Sequence, residues 1–270
     1  MLVHVTYPLS VNILRITLFM LSSNQSEITL QVPPFPSVYF RQTGIVECLA
    51  FSNSALTRWW STTPQDAIIN SIGDIPSFRM YKTIRDHAHR ELKPGILVVC
   101  ALIDDQVVGA ASWGLPKKLW RSETLAEFIY RKAIEYMDDL EDCLFPSWWN
   151  NLPKREEFNR LQQGSLEKYL GSAIDETWYL KVLCVHPGFQ RKGIGAKLLD
   201  WGLKHARERG EKVYVEASDI GKGLYIKKGF KELGEIVLGD GEVVIPCMIW
   251  DPATAPSQDE IAEQPGPIQI

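Results

Sequence analysis

The segment that most limits what this chain can fold into reads Val182-Leu183-Cys184-Val185-His186-Pro187-Gly188-Phe189-Gln190-Arg191-Lys192-Gly193-Ile194-Gly195-Ala196. Residues 178–185 are a β-rich run. Residues 188–195 form a glycine loop. From 194 to 209 the period changes to that of a helix, with Ile194, Leu198, Leu199, Gly202, Leu203 and Ala206 on one face. Basic residues crowd its last turn and Gly210 follows, which are stop signals. A strand feeding a helix through a tight loop implies an α/β fold built on a sheet.

The loop also has chemistry. A helix start carries unpaired backbone N–H groups and the positive end of the dipole, so it attracts phosphate. Gly193 and Gly195 let a ligand approach the backbone closely, and Arg191 and Lys192 add positive charge. Two nucleotide motifs do not fit. A Walker loop needs G-x-x-x-x-G-K-[ST], but Ile194-Gly195 stands where Lys and Ser/Thr belong. A dinucleotide fingerprint needs G-x-G-x-x-G, but Leu198 holds the third glycine's place, and the loop comes late in the chain. From the glycines alone, a strand-to-helix turn with solvent-facing Arg191 and Lys192 remains an equal alternative.

The rest of the chain supplies more of a sheet. Residues 26–32 read as a strand ended by prolines. Residues 46–60 and 77–92 read as helices, the second stopping before Pro94-Gly95. Residues 96–103 and 107–113 read as a β-hairpin about Asp104-Asp105-Gln106. Residues 122–140 read as a charged amphipathic helix, with Leu125, Phe128, Ile129, Ala133 and Tyr136 on one side, and a further helix is expected around 156–170. The segment 115–175 is therefore expected to be a helical insertion between strands. After the glycine loop come a short strand at 212–216, a short helix at 221–228 and a final hairpin at 235–250. The expected organisation is a loosely ordered extension at 1–25, one domain at 26–250 and a disordered tail at 251–270. Met1 and Met20 are both possible starts of the working protein.

With 270 residues, 45% of them apolar and 23% charged, the chain is long enough for one large core and too apolar to be mostly disordered. A formal charge of −4 disfavours a general nucleic-acid binder. The five cysteines form no C-x-x-C pair, so neither a zinc site nor a redox motif is expected, and buried reduced thiols in a cytoplasmic protein are. The apolar start is interrupted by His4, Pro8, Asn12 and Arg15, which argues against a membrane span or a secretory signal.

The string Gln190-Arg191-Lys192-Gly193-Ile194-Gly195-Ala196 resembles the Q/R-x-x-G-x-G/A signature of the GNAT superfamily of acyl-CoA-dependent N-acyltransferases. A second resemblance follows at the family's distance. It comprises Glu216-Ala217-Ser218 and then Gly223-Leu224-Tyr225-Ile226-Lys227-Lys228-Gly229-Phe230, similar to the family's strand, short helix and L-Y-x-x-x-G-F element. The two cover residues 178–230. They imply a twisted mixed β-sheet flanked by helices on both faces. The implied activity is direct transfer of an acetyl group from acetyl-CoA to a primary amine in a ternary complex, with no metal.

The resemblance implies roles for single residues. The strand at 178–185 would splay from the next one, freeing backbone at Leu183, Cys184 and Val185 for the amide arm of acetyl-CoA. The pyrophosphate would rest on the loop from Gln190 through Arg191, Lys192, Gly193, Ile194 and Gly195 to Ala196. Tyr225 would protonate the leaving thiolate. The base is open between Glu216 and Glu176, with His186 a weaker candidate and a water chain an alternative to all three. The aromatics Tyr136, Phe145, Trp148 and Trp149 are expected to pack a small core, and the insertion to form a lid that selects the acceptor. That acceptor is a small-molecule or peptide amine, with neither nucleic acid nor membrane expected as partner and the oligomeric state open. A non-catalytic acyl-CoA sensor of the same fold is the alternative, and a nucleotide-binding protein of another fold is a second rival.

Overall fold

A computed structural model describes residues 27–33, 39–60, 77–144 and 151–256. The expectations for residues 1–25, for Phe145, Trp148 and Trp149, and for the tail beyond 256 lie outside these. The elements in chain order are β1 (Thr29–Gln31), α1 (Phe40–Phe51), α2 (Ala55–Trp60), α3 (Ser77–Leu92), β2 (Ile96–Ile103), β3 (Gln106–Gly114), α4 (Leu125–Leu144) and α5 (Leu152–Tyr169). There follow β4 (Trp178–Val185), α6 (Ile194–Arg209), β5 (Val213–Glu216), α7 (Asp219–Lys227), β6 (Lys231–Leu238) and β7 (Val243–Trp250). Among the described residues, seven strands form one sheet in the order β1-β2-β3-β4-β5-β7-β6. Among these described strands only β4 and β5 run parallel, and the other pairings are antiparallel. The mixed sheet with helices on both faces is as expected.

Local chemistry sets the boundaries. The hairpin turn between β2 and β3 places Asp104 and Asp105 at φ 47° and 60°, the left-handed pair that a two-residue turn between twisted strands needs. The helix expected over 46–60 is two helices. Ser54 interrupts it by accepting the Thr57 N–H at 3.1 Å, a cap that begins α2. Thr124 and Glu127 form a capping box, with Thr124 Oγ1 accepting the Glu127 N–H (3.2 Å) and Glu127 Oε2 accepting the Thr124 N–H (2.8 Å), so α4 starts at Leu125. Asn151 caps α5, and Pro153 sits in its first turn, where no amide partner is lost.

The two faces are covered differently. One face packs Val99, Ala111, Trp113, Trp178, Leu180, Val213, Val215 and Met248 against Ile194, Leu198 and Leu203 of α6, with Tyr225 and Phe230 completing the cluster. Gly202 makes this contact possible, since a Cβ there would lie 2.1 Å from the Trp113 ring. The opposite face has two separate clusters. Val46 of α1 covers Val98, Cys100, Leu102, Ala110 and Cys184. Trp59 of α2 and Phe158, Leu161 and Leu166 of α5 cover Tyr214, Ile236, Leu238, Ile245 and Cys247. The stretch expected to start a loose tail at 251 begins with an ordered turn instead. Asp251 pairs with Lys212 at 3.0 Å, Ala255 packs on the core, and Arg207 Nη2 donates to the Pro256 carbonyl at 2.8 Å. Four of the five cysteines are buried, whereas Cys143 is exposed.

Candidate active site

Strand β4 changes partners part-way along. Its register against β3 slips between Leu180 and Val182, leaving Lys181 as the extra residue of a β-bulge. Its parallel pairing with β5 spans only Trp178, Tyr179 and Leu180. A bulge bends the strand that carries it, and here the bend coincides with the parting of β4 from β5. From Lys181 onward, among the described residues, no strand pairs with β4 on the β5 side.

Alternation decides which backbone groups face the parting. The His186 N–H donates to the Val108 carbonyl of β3 at 2.8 Å, so His186 and Cys184 turn their backbone to β3. Leu183 and Val185 therefore present theirs to the bare edge. Gln190 Nε2 donates to the Val185 carbonyl at 3.1 Å on that edge, which ties the loop to the strand. This corrects the expectation for Cys184. Its backbone serves the sheet, and its side chain lies in the apolar cluster under α1, where burial pushes the thiol pKa far up.

The glycine loop ends in a bare helix start. Gly193 precedes α6 at φ 79°, and among the described residues no side chain caps that end. The first amide to close onto the helix is that of Lys197, bonded to the Gly193 carbonyl at 3.0 Å. The N–H groups of Ile194, Gly195 and Ala196 thus point along the axis toward the loop. A Cβ at Gly193 would meet nothing within 4 Å, so space lies open there. Arg191 is held at φ 63°, a left-handed conformation outside glycine's usual territory. Arg191 and Lys192 are exposed, and Lys192 Nζ sits 5.0 Å from the centre of the Phe189 ring. The Ile194 side chain is buried in the core, leaving its amide to the loop. A Cβ on Gly195 would lie 3.8 Å from both Val185 and Leu224, so the start of α6, the end of β4 and α7 converge.

Glu216 ends β5 on the face opposite α6, beyond the last β4–β5 pair. Tyr179 Oη donates to its Oε2 at 2.7 Å, and Gln162 Nε2 donates to the same oxygen. Ser165 Oγ and Tyr214 Oη each approach Oε1 at 3.4 Å. Burial raises the Glu216 pKa above the ordinary carboxylate value; the bonds from Gln162 and Tyr179 and the charge of Lys181 oppose that rise. Lys181 Nζ itself lies 4.2 Å from the Tyr179 ring centre. The result is a half-buried carboxylate, oriented on one oxygen by two donors, at the mouth of the strand parting.

Tyr225 is buried in the core cluster on the other face. It lies on α7 beside Phe230, with ring centroids 5.4 Å apart, and burial alone raises its phenol pKa well above 10. The phenol is therefore protonated at neutral pH. The other candidates are not at the parting. Glu176 ends the Gly171–Glu176 turn, exposed, at the paired start of β4, while β4 and β5 separate at their far ends. His186 is 2% exposed, accepts the Gly188 N–H on Nδ1 at 3.2 Å and packs edge-on to Phe189, so its ring shapes the loop.

The residues that sequence reasoning passed over are Tyr179, Gln162 and Ser165. A signal existed for the first: strand alternation places Tyr179 on one face of β4 as it places Tyr214 and Glu216 on one face of β5, and Tyr179 and Tyr214 are register partners. Gln162 and Ser165 come from α5, inside the insertion, and no local pattern connects them to Glu216. Among the described residues no cluster of three or more His, Cys, Asp or Glu is arranged to hold a metal ion. Nor, among them, is any helix long and apolar enough to cross a membrane.

Residues 162–249, from Gln162 through β7, match a family model described as an acetyltransferase (GNAT) domain. This stretch, about a third of the chain, is similar to the GNAT acetyltransferase domain. The chain is 29% identical over 138 residues to a protein named acetyltransferase from Stachybotrys chartarum. That match takes in 50% of this chain and 53% of the other, so the chain spans about half the length of this curated relative. Among solved structures, the arylalkylamine N-acetyltransferase 2 of Aedes aegypti superposes with a TM-score of 0.51 at 17% identity, covering 84% of this chain and 99% of that one. A Corynebacterium glutamicum protein described as a histone acetyltransferase and related acetyltransferase gives 0.50 at 18%, covering 85% and 98%. These likenesses show the GNAT fold.

Proposed function

We propose that the protein is an N-acetyltransferase that moves an acetyl group from acetyl-CoA to a primary amine within a ternary complex. The observation that carries this reading is the oriented carboxylate of Glu216 at the parting of β4 and β5. The bare edge of β4 fits the amide arm of coenzyme A, with Leu183 and Val185 pairing to it as to an added strand. The uncapped start of α6 fits its pyrophosphate, held by the amides of Ile194, Gly195 and Ala196 and by the charges of Arg191 and Lys192. The bound thioester supplies the acetyl carbon and a thiolate leaving group.

The chain's own residues then manage two protons. Glu216, ionised, takes one from the amine nitrogen as the new C–N bond forms, and its raised pKa brings its basicity nearer to neutral pH. Tyr225 gives one to sulfur as the C–S bond breaks. Tyr179 and Gln162 fix the Glu216 carboxylate, which makes them positioning residues. Helix α5 belongs to the insertion, and its contact with Glu216 supports a role for that segment on the acceptor side. The Aedes protein of like fold is named for acetylating an arylalkylamine, and a small amine is the corresponding acceptor proposed for this chain.

The test is thiol release from acetyl-CoA against a panel of small amines and peptides. Turnover in the wild type that falls about 10²–10⁴-fold in Glu216→Gln supports the reading. Tight acetyl-CoA binding without turnover on any amine replaces it with the acyl-CoA sensor.

A further inference from the structure

Helix α4 is turned inside out. A surface helix ordinarily buries its apolar stripe and shows water its charges. Here the charged side faces inward, onto α3 and the segment before α4. Arg85 holds Asp138 and also Glu141 (2.5 Å), His89 meets Glu135 at 3.2 Å, and Arg121 meets Glu127 at 2.8 Å. Ile134 is the one large apolar side chain of α4 buried on that side among the described residues. Eight large apolar side chains of α4 are 43–75% exposed, and five of them, Leu125, Ile129, Tyr136, Leu140 and Leu144, share the outward side. Those five present on the order of 600 Å² of mainly apolar surface. That reaches the top of the range for the largest patch of a typical monomer and the lower end of one partner's share of a standard interface.

The outward ridge identifies the occupant. It runs Leu125, Ile129, Ala133, Tyr136, Leu140, Leu144. Its steps of 4, 4, 3, 4 and 4 residues read the same from both ends. A two-fold axis at its middle therefore sets Leu125 against Leu144, Ile129 against Leu140, and small Ala133 against large Tyr136. Lys132 and Glu135, paired at 2.6 Å, edge the ridge and supply a polar rim. A surface complementary to its own two-fold copy is what an isologous dimer requires. We infer that α4 is the dimer interface of this protein, packing antiparallel against α4 of a second copy. The inference is independent of the catalytic reading.

Sedimentation of the full chain from about 1 to about 100 µM tests it. The expected result is a concentration-dependent dimer. Ile129→Asp and Leu140→Lys, both at exposed positions, are each expected to raise its dissociation constant at least about tenfold. Equimolar mixing of the two variants should restore the dimer, because the new acid of one faces the new base of the other. A wild type that stays monomeric throughout overturns the proposal. So do single variants that dimerise like the wild type, or a mixture that stays monomeric. Independently of any variant, amide exchange along α4 of the wild type should slow as concentration rises through the transition. Exchange that ignores concentration overturns it too.

Discussion

Tyr179 donates its phenolic hydrogen to Glu216 across 2.7 Å, linking β4 to β5 just past the point where their backbones stop pairing. The bond favours the ionised carboxylate, while burial favours the neutral acid. Removing the donor leaves burial less opposed, so Tyr179→Phe should raise the Glu216 pKa further. A base works only when ionised, so the acid limb of the kcat/KM profile should move to higher pH by roughly one unit. A limb that stays in place in the variant would show that Glu216 does not set it.

Tyr225 gives a separate handle on the leaving group. Tyr225→Phe keeps the ring against Phe230 and removes the acid. Turnover should fall roughly 10²-fold or more while the KM for acetyl-CoA changes little. Equal turnover in the two proteins would assign Tyr225 to packing alone.

Gly193 is expected to matter for binding. At φ 79° any side chain is strained, and its Cβ would enter the open space before the α6 amides. Gly193→Val should weaken coenzyme A binding at least about tenfold by calorimetry while costing only about 1–2 kcal/mol of stability. Unchanged affinity would place the phosphate elsewhere.

Gly202 is a packing position. Gly202→Leu drives atoms into the Trp113 ring, whose contact already leaves no room for a Cβ. Overpacking of about 2 kcal/mol lowers Tm by roughly 4–8 °C in a domain of this size. An undisturbed melting curve would mean that α6 shifts freely, contrary to the close fit at Trp113.

A buried ionic cluster under the sheet links stability to pH. His87 lies between Glu47 and Glu91, at 3.0 Å from each, and Arg90 bonds Glu47 at 2.7 Å. Burial disfavours the His87 imidazolium, but the bonds to Glu47 and Glu91 outweigh it and raise the pKa. That contribution is complete below about pH 6.5 and fades as pH rises through the raised value in the fold. Burial likewise opposes ionisation of Glu47, yet Arg90 and His87 hold it down to about 2. Its contribution is present above about pH 4.3 and is lost as pH falls through about 2. Urea unfolding of wild type and His87→Gln should therefore differ most near pH 5–6 and converge toward alkaline pH. A difference independent of pH would mean that the imidazole is uncharged in the fold.

The sequence by itself determined the elements whose signals are local. Alternation and periodicity place β4 at Trp178–Val185 and α6 at Ile194–Arg209, the bounds observed. The glycine spacing of residues 188–195 and the Leu224-Tyr225 element carry the resemblance to the GNAT superfamily, because backbone conformation and helix termini are encoded within a few neighbouring residues. Where a cap overrode periodicity, as at Ser54 and Thr124, the boundary moved for an equally local reason. Only the tertiary structure places Glu216, and not Glu176, beside the parting, since both are carboxylates beside a strand and their placement depends on which ends of two parallel strands part. It alone turned Cys184 away from the parting, because one bulged residue sets the direction of every backbone group after it. It alone brought Gln162 and Ser165 of α5 to Glu216, across 54 and 51 residues of chain. Contacts over such separations depend on how whole elements pack, and no short window of sequence encodes that packing.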